Sequence, residues 1–274
     1  MRLQALIAGL GLTLAAGAAY AAEVEIKDAV ARVTVIPEAR SDIKVEILST
    51  NPNLPLEIRT TGGKTIIDGD LDRSIRNCDT DNGKITVQVG RKTYRFEDMP
   101  QVVIRTPKDV DIEAGGAVFG AVGKSASLEL SNAGCGDWTV ANVEGRLKLI
   151  QAGSGDTKVG SAGQASLRVA GSGDIKTQAI RGALEIDIAG SGDIWSASVS
   201  GPLDVKVAGS GDVKVAGGQA SAMTVSVAGS GGVDFDGVAL SLKARIAGSG
   251  DVHVREVKGD VSKAIVGSGA VNVG

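Results

Sequence analysis

Aromatic residues make up only 3% of the 274 residues: two Trp, two Tyr and three Phe. The core therefore cannot be organised around large rings and has to come from small and β-branched side chains in regular ranks, which makes it narrow. Histidine occurs once, at His253, with no Ser or carboxylate at a recognisable nucleophile spacing, so a hydrolytic triad is not expected. The two cysteines form no CxxC pair, which argues against a redox motif or a zinc cluster. Charge of neither sign dominates, with 29 basic against 32 acidic residues, so nucleic acid is not an expected partner. Beyond the first twenty residues no apolar run is long enough to cross a bilayer, and the mature chain should carry no transmembrane segment.

Glycine, in contrast, is abundant at 39 residues, and much of it falls in one recurring phrase, Ala-Gly-Ser-Gly-Asp-Ile/Val. Its first Gly stands at 134, 153, 171, 190, 209, 229, 248 and 267, with a worn copy at Gly115, so the steps are 19, 18, 19, 19, 20, 19 and 19. A period near 19 marks a solenoid, in which one turn cannot bury its apolar face until its neighbours stack on it. After each phrase a short strand sets Trp138, Thr157, Ile175, Ile194, Val213, Val233, Val252 and Val271 in one column. Two places on stand Val140, Val159, Thr177, Ser196, Val215, Phe235, Val254 and Val273. Both columns are expected to point inward, with Thr139, Lys158, Lys176, Trp195, Lys214, Asp234, His253 and Asn272 facing solvent between them. A second strand follows, as in Leu184, Ile186 and Ile188. Parallel strands stacked turn on turn predict an all-β right-handed parallel β-helix, some 40 Å long over eight regular turns at about 4.8 Å each. The Ala before each phrase reads as a corner too tight for a larger residue, and the two Gly as positions with φ above zero.

The N-terminal third is less regular. Met1-Arg2, the uncharged apolar run Leu3–Ala18 and the small residues around Tyr20 read as a secretory leader over residues 1–21, with the mature chain starting at Ala22. Residues 22–113 alternate as strands, broken by turn signals at Asn51-Pro52-Asn53, Gly62-Gly63 and Asp81-Asn82-Gly83. They are read as irregular first turns of the solenoid plus a cap, with a separate small β-domain as the alternative. Residues 114–274 are the regular repeats. The protein should be exported, to the periplasm, the cell surface or the medium. In such a compartment Cys78 and Cys135 are expected to pair, tying the first regular turn to the segment before it.

Asp137, Asp156, Asp174, Asp193, Asp212 and Asp251 form a column of like charges about 5 Å apart, at a cost of roughly 0.8 kcal/mol per neighbouring pair in water. The expected relief is structural: each carboxylate accepts backbone N–H groups in its own turn. Calcium between turns is the alternative, but the period fits calcium-binding nonapeptides poorly, and Gly232 and Ala270 replace the Asp without loss of the phrase. The acidic stretch Asp68–Asp81 resembles an EF-hand loop without its Gly, having Arg73 there, and is read as a solvated loop. No cofactor and no metal site is expected. Asp187, Asp204, Asp234 and Asp236 are the carboxylates on which a polysaccharide-acting enzyme would depend. Such an enzyme predicts a flank groove lined by carboxylates and cations, whereas a binding module predicts flat faces. Trp195, an outward ring amid Lys176 and Lys214, is the foremost candidate for contact with a glycan or a protein.

The phrase Ala208-Gly209-Ser210-Gly211-Asp212-Val213-Lys214-Val215, preceded by Gly201-Pro202-Leu203-Asp204-Val205-Lys206-Val207, resembles the auto-transporter adhesin head domain family, also called the head GIN domain. The resemblance covers roughly residues 100–274. It implies an exported right-handed β-helix acting as an adhesin, and supplies no catalytic or ligand residues. The expected function is a non-enzymatic adhesin-like binding or structural module of the cell envelope, with a polysaccharide-acting enzyme or a calcium-binding repeat protein as alternatives. The strand Val271-Asn272-Val273 lacks an evident cap, which makes self-association an expectation.

Overall fold

The computed structural model describes residues 22–81 and 84–274; the expected leader, residues 1–21, lies outside them. The first strand, β1 (Ala22–Pro37), already stands inside the stack. On one side it runs parallel to β9 (Asp109–Val122) along nearly its whole length, from Ala22 opposite Val110 to Val35 opposite Val122. On its other side lie two parallel strands reached by the intervening chain. These are β4 (Lys64–Asp68), with Ile26 opposite Ile67, and β8 (Gln101–Thr106), with Val33 opposite Val102. Residues 38–108 thus lay a turn beneath β1 before the chain returns above it, so order along the stack departs from order along the chain.

Two antiparallel strands close this end: β2 (Lys44–Ser49) against β8, and β3 (Glu57–Thr61) against β4. They cover edges that parallel strands would leave open. β5 (Ile75–Asp81), β6 (Lys84–Val89) and β7 (Lys92–Arg95) form a separate three-stranded antiparallel sheet. It packs on the flank through its own cluster, Val87 with Leu71, Met99, Val30, Ala117 and Phe119. The Cys78–Cys135 disulfide joins this sheet to the first regular corner, its Cα atoms 5.9 Å apart.

From Gly115 onward the chain is a β-solenoid, with about nine turns of about 19 residues in all. Ile175, Ile194 and Val213 stand in one interior file, paired rung to rung and each 1% exposed. Leu184, Leu203, Met223 and Leu242 make a second file, and Val143, Ala162, Ile180 and Val199 a third. All three belong to one cluster that runs without a break from Val24 to Val271. Each fully buried Val, Ile or Leu contributes about 1.5–3 kcal/mol relative to exposure, which is how thin ranks of aliphatics can hold a long rod. The second inward column fails at its last member: Val273 is 41% exposed, because no further turn covers it among the described residues.

The corners differ from the sequence expectation in two ways. The Ala of each phrase faces solvent, so packing does not enforce its size, and nothing in the structure explains its recurrence. The glycines are required chiefly by close approach. A Cβ on Gly192 would stand 2.3 Å from the carbonyl oxygen of Gly173, one turn below, although Gly192 has no positive φ. Gly209 meets both demands, with φ +143° and a Cβ position 2.2 Å from the Gly190 oxygen.

Candidate binding face

At each corner the inward residue donates its N–H to the carbonyl at the Asp position one turn on, as Ile194 does to Asp212 at 2.9 Å and, where the Asp is replaced, Val213 to Gly232 at 2.9 Å. The N–H at that position needs another acceptor, and the previous turn's Asp side chain supplies it. Asp137 Oδ1 accepts from Asp156 N at 2.8 Å, Asp156 from Asp174 at 3.0 Å, Asp174 from Asp193 at 2.8 Å and Asp193 from Asp212 at 2.8 Å. Asp212 accepts from Gly232 at 2.6 Å and Asp251 from Ala270 at 2.8 Å. The column is a hydrogen-bond ladder between turns. It differs from the cap within a turn that the sequence suggested, because stacking brings the next turn's N–H within reach. The bond is charge-assisted and offsets the repulsion along the column. Among the described residues the second oxygen of each carboxylate has no partner within the protein, and no three His, Cys, Asp or Glu side chains gather closely enough to hold a metal ion.

Two residues beyond the ladder runs the outward file Thr139, Lys158, Lys176, Trp195, Lys214, Asp234, His253, continuous from rung to rung. The three candidate contact residues are therefore direct neighbours. Lys176 Nζ lies 4.7 Å over the centroid of the half-buried Trp195 ring. Lys214 turns the other way, its ammonium 3.0 Å from Asp234 Oδ2, and that bond holds the lysine above its usual pKa.

The face is not flat. Ladder and file stand as two walls over a floor formed at Thr157, Ile175 and Ile194, and the space between them is a groove of about 400 Å³. It shares Asp212 and Lys214 with a second hollow of about 330 Å³ that reaches Asp251 and His253. One rung before it, a third of about 320 Å³ is walled by Asp137, Thr139 and, from the short 3-10 turn Phe96–Asp98 that follows the flank sheet, Phe96, whose ring carries the Arg32 guanidinium 5.3 Å from its centroid. Sequence reasoning expected flat faces because strand alternation says which way a side chain points and nothing of the space between two outward columns. The threefold repetition of Asp and Lys two residues apart, at Asp156 and Lys158, Asp174 and Lys176, and Asp212 and Lys214, was the signal available.

The other carboxylates do not assemble. Asp187 and Asp204 lie on the outward side of the other strand of the turn, where Asp187 binds Arg168 at 2.8 Å, whereas Asp234 is on the groove file and pairs with Lys214. In the acidic stretch, Asp68 is taken by Lys27 and Arg59, and the Lys27 hydrogen bond holds its carboxyl below the usual range. No helix among the described residues is long and apolar enough to cross a membrane.

Two solved structures share this architecture. A protein of Parabacteroides distasonis described as a putative lipid binding protein is 20% identical, with 93% of this chain and 92% of that chain covered and a TM-score of 0.56. A putative adhesin of the same organism is 18% identical, covering 93% and 94%, with a TM-score of 0.57. At these identities the likeness is one of fold. No curated protein matches. The family model described as "Putative auto-transporter adhesin, head GIN domain" matches residues 23–218 and 181–274, which together span residues 23–274, and the chain belongs to that family.

Proposed function

We propose that the protein is an exported, non-enzymatic, adhesin-like binding module of the cell envelope, and that its contact surface is the face bearing Lys176, Trp195 and Lys214. Export is supported by the leader-like residues 1–21, by the family and by a disulfide, which needs an oxidising compartment. The observation that carries the contact face is Trp195, a half-buried ring set in a groove between carboxylates and ammonium groups. Such a ring offers apolar area at small entropic cost and is a common centre of binding energy. The test is a glycan-array and pull-down survey of the mature protein beside Trp195→Ala. The variant should retain its fold and lose at least about tenfold in binding, in line with a central aromatic anchor. Full binding by Trp195→Ala would overturn the assignment of this face.

One observation favours a second reading, a polysaccharide-acting enzyme: a groove lined by carboxylates and cations exists, and at its far end Asp212, Asp234 and His253 share one hollow. Against it stand the engagement of Asp212 with Gly232 N–H and of Asp234 with Lys214. Release of reducing ends from oligosaccharides, abolished by Asp234→Asn, would favour the enzyme.

A further inference from the structure

We infer that the groove receives a linear, uncharged polysaccharide laid along the solenoid axis, advancing by about one sugar per turn, with Trp195 as its stacking platform. This deepens the proposed function and rests on it. The two hollows share Asp212 and Lys214 and together run from Asp156 to His253, so they adjoin over six consecutive turns. A compact ligand would need one turn to differ from its neighbours on both walls. Here the wall of Asp residues repeats nearly unchanged, at the spacing of parallel strands, about 4.8 Å. That step is close to the length of one extended pyranose unit, so a polymer of sugars meets an equivalent carboxylate at every unit except the one beside Gly232.

The charges select the polymer. One wall presents carboxylate oxygens left without protein partners, and the other presents Lys158 and Lys176. A polyanion would face the acidic wall at every step but the one beside Gly232, and a polycation the lysines; both juxtapositions cost energy. A hydroxyl group donates to a carboxylate and accepts from an ammonium, so a neutral chain rich in hydroxyls satisfies both walls. Trp195 fixes the register. Lys176 covers one face of its ring, and Lys214 is drawn to Asp234 on the following turn, which leaves the other side free of a cation for the C–H face of a sugar.

The experiment is calorimetric titration of the mature protein with cello-, manno- and chito-oligosaccharides of about two to eight units, with Trp195→Ala and His253→Ala alongside and thermal melting to confirm that both variants fold. At least one series should gain about tenfold or more in affinity between two and six units and then level off, when the groove is filled. Trp195→Ala should weaken binding at every length, and His253→Ala should cost the six-unit ligand more than the two-unit one. Affinity independent of length, a six-unit ligand indifferent to His253→Ala, preference for an oligogalacturonate over all three neutral series, or no binding by any of the three would overturn the inference. The parent proposal fails separately, when Trp195→Ala binds its array or pull-down partner as well as the unaltered protein does.

Discussion

Asp193 sits at the middle of a ladder in which a side-chain oxygen substitutes for a backbone acceptor, and its Oδ1 takes the Asp212 N–H at 2.8 Å. Asp193→Ala should cost about 1–2 kcal/mol, the worth of a charge-assisted hydrogen bond whose donor is then orphaned, while Asp193→Asn keeps an acceptor and should cost less. The converse is available at Gly232, which has no oxygen to offer, so the Asp251 N–H has no acceptor among the described residues. An added Cβ there would stand 3.2 Å from Asp212 Oδ1, a contact that a small shift relieves. Gly232→Asp should therefore raise stability by about 1 kcal/mol, with urea denaturation midpoints as the measurement. A second residue prediction concerns Asp111, half-buried between Glu23 and Glu129 on one outward file. Burial first, then the charges of Glu129, Glu23 and Glu113, push its carboxyl up to about 6. Because this lies above the unfolded value of about 3.9, the ionised group opposes folding above about pH 6, and the penalty fades as the pH falls toward about 4. Asp111→Asn should stabilise the protein near pH 7.5, by on the order of 1 kcal/mol, and leave it nearly unchanged near pH 4 in thermal melts. The Asp column was legible in the sequence because it repeats. The identity of each bonding partner was not, since the local habit of Asp points to its own turn and only stacked strands bring the next turn closer. Asp111 was hidden because Glu23 and Glu129 reach it through pairing between distant strands.

At the scale of elements, the flank sheet β5–β7 is held to the solenoid by the Val87, Leu71 and Phe119 cluster and by Cys78–Cys135. The disulfide spans a sequence separation of 57, for which the chain-entropy account gives about 4 kcal/mol. Replacing both cysteines by Ser, which in the first regular corner restores the Gly-Ser-Gly of the later turns, should lower stability by up to that amount. It should also speed amide exchange in β5–β7 while leaving the strands around Ile186 and Val205 protected. Equal loss of protection in both regions would show that the sheet and the rod unfold as one. The pairing itself was readable from two lone cysteines in an exported chain. The regular turns were equally readable, since a period near 19 fixes which residues oppose each other, as Ile175, Ile194 and Val213 do. The N-terminal arrangement was not. β1 pairs with β9 across the whole excursion of residues 38–108, and a contact of that separation leaves no periodic mark in the sequence.

For the whole molecule, the two ends of the rod pose different problems. The N-terminal end is closed by β2 and β3 lying antiparallel to the strands beneath them. At the other end, Val261–Gly267 and Val271–Val273 are each paired on one side only among the described residues, and Val261, Ile265 and Val266 are 42%, 41% and 76% exposed. Open parallel edges beside apolar groups invite a second molecule. The interior file Ile186, Val205, Val225, Ala244 does not continue with an aliphatic: its next member is Lys263, whose ammonium donates to the Val271 carbonyl at 2.7 Å across the mouth of the core. An inward charge at an edge is costly to bury, so an incoming copy would have to desolvate it to extend the stack. Lys263→Ile should remove that obstacle and leave the folded turn intact, since the neighbouring Ala244 gives the longer chain room. Sedimentation and light scattering at matched concentrations should show more association for Lys263→Ile than for the unaltered protein, and the difference should grow with salt if hydrophobic contact drives it. A monomer in both cases would mean that the exposed strands, and not the lysine, set the end of the rod.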